Sequence, residues 1–384
     1  MPMERFKLYL GTAVAFAFLV LLMIITDQAS ISPAPVLNAP TASSTLSVVP
    51  ALTLPAITLP SIEFTATAAT VSSTAVPVAP KPARAPVPVP VAIPLPTPVQ
   101  TPPPAPDDNA DFDAAASALR SALVNIICYA PAGSGLHSTS GSGIFIDSKG
   151  IILTNAHIAQ NFLLADRGVS CDIRTGSPAI DRYEAAPIYI PPAWVNANAD
   201  ILTKVKPRGT GEYDFAFLAV TKSANAHTLP ASFPSIPLAI MPVASGTPVV
   251  IATYGAQFLE SSQIQSALFP TIVFGSVKDV FTFATNTIDV LALGGSAAAQ
   301  EGSSGGGVAG AVGELVGTIT TSTIEGTTDT RSLDAITASY IRVAYASETG
   351  QALDLLLAEP VTASIAAFAP QLSALEAILT ANLP

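Results

Sequence analysis

The chain has 384 residues, enough for two or three domains by length, yet only 11% are charged and 49% are hydrophobic. So few charges point to a membrane segment and a long uncharged linker beside any folded domain. A formal net charge of −11 leaves no basic stripe to neutralise phosphates, which speaks against a nucleic-acid partner.

In chain order, residues 1–7 read as a short cytoplasmic N-terminus. Leu8 to Thr26 carries no charge, and its nineteen residues would span about 28 Å as a helix, close to a bilayer core. Arg5 and Lys7 precede it, so the positive-inside bias keeps the N-terminus in the cytoplasm and sends the rest outside. The expectation is a single-pass signal anchor in the cell membrane. A cleaved signal peptide is the alternative, although Asp27-Gln28-Ala29 makes a poor cleavage site.

Residues 27–110 read as a stalk. Nineteen of the 35 prolines fall between Pro33 and Pro106, and only Glu63, Lys81 and Arg84 are charged between Gln28 and Pro106. Proline without glycine makes a stiff, extended spacer of up to about 250 Å.

Glycines and charges return near Asp111, and residues 111–360 read as one all-β domain. Short apolar runs alternate with turn signals: Ala122–Tyr129, Ser142–Ile146, Ile151–Leu153, Val169–Arg174, Tyr183–Ile190, Phe215–Val220, Pro248–Tyr254, Thr271–Val280, Thr287–Leu293 and Leu315–Thr321. This number of strands and this length suit two six-stranded antiparallel β-barrels. Helical signal is confined to Asp113–Ser121, Gly350–Leu357 and Leu372–Leu379, the last within a C-terminal helix or tail over 361–384.

Three local patterns carry candidate chemistry. Gly302-Ser303-Ser304-Gly305-Gly306-Gly307 sets a serine among glycines, which allow a sharp turn and aim backbone N–H groups; alone it reads as a flexible loop. Thr154-Asn155-Ala156-His157 follows the hairpin Gly141 to Leu153. Tyr213-Asp214-Phe215 places an acid at the head of an apolar strand. Asp200 is a rival carboxylate, Ser296 a rival nucleophile, and His137 and His227 lie in polar loop sequence.

The hairpin ending in His157 closely resembles that of HtrA proteases, and the Ser304 loop resembles the trypsin-like Gly-Asp-Ser-Gly-Gly-Pro. The order His157, Asp214, Ser304 matches that of chymotrypsin-like enzymes. The likeness covers about residues 120–345 and implies a trypsin-like serine endopeptidase acting on protein or peptide substrates through a His157–Asp214–Ser304 triad. It also implies an oxyanion hole made of the Gly302 and Ser304 N–H groups. Ala298 falls where trypsin has its specificity aspartate, so a small or aliphatic side chain is expected at the cleaved bond. Ser303 replaces the acid that pairs with a newly cut N-terminus in trypsin-type zymogens, so no such switch is expected. Gly307 in place of proline predicts a looser loop.

Cys128 and Cys171 could be free thiols or a disulfide. The resemblance puts them on neighbouring strands and implies the bond. No metal-ligand cluster, nucleotide loop or PDZ domain is evident, so no cofactor is expected.

Overall fold

Alanines dominate the segment after Asp108, acids fill its first turns and Arg120 its last, all of which favour a helix. In the computed structural model this is α1 (Asp108–Ala122). The structure describes residues 108–383, apart from 205–208, 285, 324–326 and 328–329. The membrane segment expected at 8–26 and the stalk up to residue 107 lie outside the described residues.

The first sheet comprises β1 (Leu123–Tyr129), β2 (Thr139–Asp147), β3 (Ile151–Thr154), then after the single-turn helix α2 (Ala156–Ala159), β4 (Ser170–Gly176) and β5 (Ala179–Tyr189). Helix α3 (Pro192–Asn198) precedes β6 (Ala216–Ser223). These strands close into a barrel in the order β1-β2-β3-β6-β5-β4, all pairs antiparallel. The turn expected at 147–150 forms because the Lys149 N–H donates to the Asp147 carboxylate at 2.8 Å and the Gly150 N–H to its carbonyl at 3.1 Å. Val124, Ile126, Phe145, Ile152 and Leu218, which the strand register sets on one face, fill the interior.

The second sheet holds β7 (Pro248–Thr253), β8 (Thr271–Ser276), β9 (Asp279–Phe281), β10 (Val290–Ala292), β11 (Gly307–Ala309), β12 (Leu315–Thr323) and β13 (Ser332–Thr337), with α4 (Ser261–Ser266) in the loop after β7. Here the expectation of a second six-stranded barrel needs correcting. The sheet has seven strands in the order β8-β7-β11-β12-β13-β10-β9. The single strand expected at 271–280 is broken because its backbone changes partner. The Val277 N–H donates to Thr247 on the β7 side, and the next N–H, of Lys278, donates to Ala292 on β10. The two ends of the sheet, β8 and β9, are therefore joined through Val277 and Lys278 alone, and the sheet curls back on itself.

Three helices follow: α5 (Ala338–Thr349), α6 (Leu353–Ala358) and α7 (Val361–Thr380). The sequence offers little helical signal for α5, because Tyr340, Ile341, Val343 and Tyr345 favour strands. Its start is fixed by Thr337, whose hydroxyl caps the Tyr340 N–H at 3.1 Å. Among the described residues α7 is the one helix long and apolar enough to cross a membrane by length and composition. Its Phe368, Leu375 and Leu379 are buried, and it packs on β5, α3 and the 160–167 turn. The C-terminal helix lies on the first barrel, where Phe368 and Tyr189 have ring centroids 6.3 Å apart.

Candidate active site

Helix α2 begins where β3 leaves the barrel, and it carries His157 on its first turn. Asp214 stands just before β6, which pairs with β3, so adjacent strands deliver both side chains to one end of the barrel. Asp214 is only 6% exposed, and four groups hold it. His157 Nδ1 lies 2.7 Å from Oδ2, the His157 backbone N–H donates to Oδ1 at 3.0 Å, and the Thr320 hydroxyl donates to Oδ2 at 2.7 Å. The Asn155 amide donates to the Asp214 carbonyl at 2.8 Å. An ionised carboxylate can only accept, so the shared proton belongs to His157 Nδ1, and Nε2 keeps a lone pair for a hydroxyl proton.

The nucleophile loop is clamped between the two sheets. The Ser142 N–H of β2 donates to the Ser304 carbonyl at 2.7 Å, and the Gly305 N–H donates to Ile319 of β12 at 2.8 Å. The Ser142 hydroxyl donates to the Gly302 carbonyl at 2.8 Å and accepts from the Tyr254 N–H at 2.9 Å. Gly305 has φ +84°, and a Cβ there would stand 2.0 Å from the Ser142 carbonyl oxygen, so no other residue fits.

Gly307 departs from the expectation of a looser loop. It is buried in β11, where an added Cβ would meet Leu119 of α1 at 2.8 Å and Ile144 at 2.9 Å. Helix α1 occupies the space a larger residue would need, and the loop ends in a packed strand.

Among the described residues, the Gly302 and Ser304 N–H groups have no protein acceptor. Both are therefore available to an oxyanion. Ser304 Oγ likewise makes no hydrogen bond among the described residues, so the expected contact with His157 is not closed. Such bonds often tighten only around substrate.

Ala298 and Ala299 are fully buried. The Ser303 hydroxyl, 1% exposed, donates to the Ala298 carbonyl at 2.5 Å, tying the residue beside the nucleophile to the floor expected of the specificity pocket. The rivals have other roles. Ser296 Oγ accepts from the Ala298 N–H at 3.2 Å and shapes a turn. Asp200 is exposed and pairs with Lys204 at 2.6 Å, and His137 and His227 are exposed. Cys128 and Cys171 face each other across β1 and β4, joined by a disulfide of 2.06 Å. No group of three or more metal-ligating side chains occurs among the described residues.

Fold and site together have a chymotrypsin-type layout, with the candidate residues placed where the two β-units meet. A family model described as trypsin-like peptidase domain matches residues 141–317. Similar solved structures include the Rv3671c protease of M. tuberculosis in its active form, at 19% identity. That likeness covers 66% of this chain and 94% of the other, with a TM-score of 0.40. A mutant of Rv3671c from M. tuberculosis H37Rv in an inactive form matches at 18% identity over 66% and 97%, with a TM-score of 0.39. No curated protein matches the chain.

Sequence reasoning missed Ser142, Thr320 and Ala256, the last of which donates its N–H to the Glu301 carbonyl at 2.7 Å beside the nucleophile loop. Ser142 had a faint signal, a serine between the two glycines of the hairpin; Thr320 and Ala256 had none.

Proposed function

We propose that the protein is a serine endopeptidase. His157 takes the Ser304 proton, Asp214 orients and charge-balances the imidazole, and Ser304 Oγ attacks the scissile carbonyl to give an acyl-enzyme. The Gly302 and Ser304 N–H groups receive the oxyanion. The proton on His157 Nε2 then passes to the leaving amine. Water, deprotonated by the same imidazole, releases the acyl group. The observation that carries this reading is the His157–Asp214 pair, locked at 2.7 Å with Nε2 left unengaged.

The buried Ala298, with no acid at that position, supports preference for a small or aliphatic side chain before the cleaved bond. The apolar run Leu8–Thr26 and the basic residues before it support a membrane-tethered enzyme acting outside the cytoplasm. Incubation of the full chain with a mixed peptide library, read by mass spectrometry, tests the cleavage and its side-chain preference. New termini should follow Ala, Val or similar residues and should vanish with Ser304→Ala.

The unengaged Ser304 Oγ favours one second reading, a catalytically silent binding module on the same framework. Peptides retained without cleavage by the wild-type chain would support it.

A further inference from the structure

Arg174, on β4 of the first barrel, is 2% exposed and lies outside the triad. A buried guanidinium is costly to desolvate, and a packed apolar side chain would often serve stability as well or better. What it holds is therefore informative. Its Nη1 donates to the Ile264 carbonyl at 2.9 Å and to Asn125 Oδ1 at 3.3 Å; its Nη2 donates to the carbonyls of Gln265 at 2.5 Å and Ala179 at 2.6 Å. Its Nε stands 3.2 Å from Asp181 Oδ1 without hydrogen-bond geometry. Ile264 and Gln265 belong to α4, in the loop 254–270 that leaves β7. One rigid fork thus fastens a second-sheet loop to the first barrel.

The same loop has two further ties to the β4–β5 hairpin. The Tyr254 hydroxyl donates to the Gly176 carbonyl at 2.6 Å, and the Ala179 N–H donates to the Leu268 carbonyl at 2.8 Å. Its other side reaches the active site. The Ala256 N–H donates to the Glu301 carbonyl at 2.7 Å. In a planar trans peptide the carbonyl and the following N–H point in opposite directions. Holding the Glu301 carbonyl on Ala256 therefore turns the Gly302 N–H away from Ala256, where it has no protein acceptor among the described residues. A flipped peptide would present the carbonyl oxygen there instead, and the hole would lose a donor.

We propose that Arg174 is a positioning residue for the oxyanion hole. It fixes the 254–270 loop, so that Ala256 keeps the Glu301–Gly302 peptide in the orientation that offers the Gly302 N–H to substrate. The inference rests on the peptidase reading given above. Arg174 touches no substrate, and its effect belongs to the transition state, where the oxyanion forms, rather than to ground-state binding.

The test uses the full chain, succinyl-Ala-Ala-Pro-Ala-p-nitroanilide as substrate, and acetyl-Ala-Ala-alaninal, whose hemiacetal needs the hole. Arg174→Met should lower kcat by about 10–100-fold, leave KM within about threefold, and weaken the aldehyde by the same factor as kcat. Arg174→Lys, which can hold some of the carbonyls, should fall between. An active wild type with kcat unchanged in a folded Arg174→Met overturns the inference alone. A rise in KM with kcat and aldehyde affinity intact also overturns it. Should Arg174→Met fail to fold, Tyr254→Phe, which releases the loop from Gly176, carries the same expectation and the same contrary results. A wild-type chain that neither hydrolyses the substrate nor binds the aldehyde would overturn the peptidase reading and the inference with it.

Discussion

At the residue scale, Asp214 illustrates how a carboxylate is made into a fixed acceptor. Asp214→Asn would keep the shape but present an amide where the imidazole N–H must be accepted, favouring the wrong tautomer. Peptide hydrolysis should fall by about 10³–10⁴-fold with the fold intact, measured as kcat on a cleaved peptide. Ser142 serves the nucleophile loop in a comparable way, since one hydroxyl satisfies the Tyr254 N–H and the Gly302 carbonyl together. Ser142→Ala should leave both buried and unpaired, lowering unfolding stability by about 1–3 kcal/mol in urea titration. The two partners lie 112 and 160 residues away in sequence. That separation is why the role could not be read locally, whereas His157 could, its context being a single contiguous hairpin.

At the element scale, α1 is more than a lead-in to the barrel. Leu119 occupies the room a side chain at position 307 would need, so helix and strand fit as a pair. Gly307→Ala should destabilise the chain by about 1–3 kcal/mol through overpacking. In the Leu119→Ala background the cost should shrink, a coupling that a double-mutant cycle of denaturation midpoints would detect. Strand periodicity made most of the barrel strands legible, because each carries a continuous apolar run. It hid β11, only three residues long, and α5, whose β-branched and aromatic residues are helical through the Thr337 cap and tertiary packing. It also joined β8 and β9, since a change of hydrogen-bond partner leaves no mark on side-chain pattern.

At the scale of the whole molecule, the barrel wall carries a pH dependence of its own. Burial, reinforced by Asp181 and Glu184 and only partly offset by Arg174, raises the Asp172 carboxyl above its usual range. The folded chain thus binds that proton more tightly than the unfolded chain does. The group's stabilising contribution is complete below the ordinary carboxylate range and is lost as pH rises through the raised value. Asp172→Asn should therefore raise Tm at about pH 7, and the gap to wild type should close near about pH 3.

The larger claim is that two β-units bring a base, an oriented carboxylate and a serine into one working site. Reaction of the full chain with a fluorophosphonate, followed by intact mass and peptide mapping, tests it most directly. The account predicts one adduct, on Ser304, absent in Ser304→Ala and slowed by about 10³-fold or more in His157→Ala. No adduct on the folded wild-type chain, or one that persists in Ser304→Ala, would contradict it.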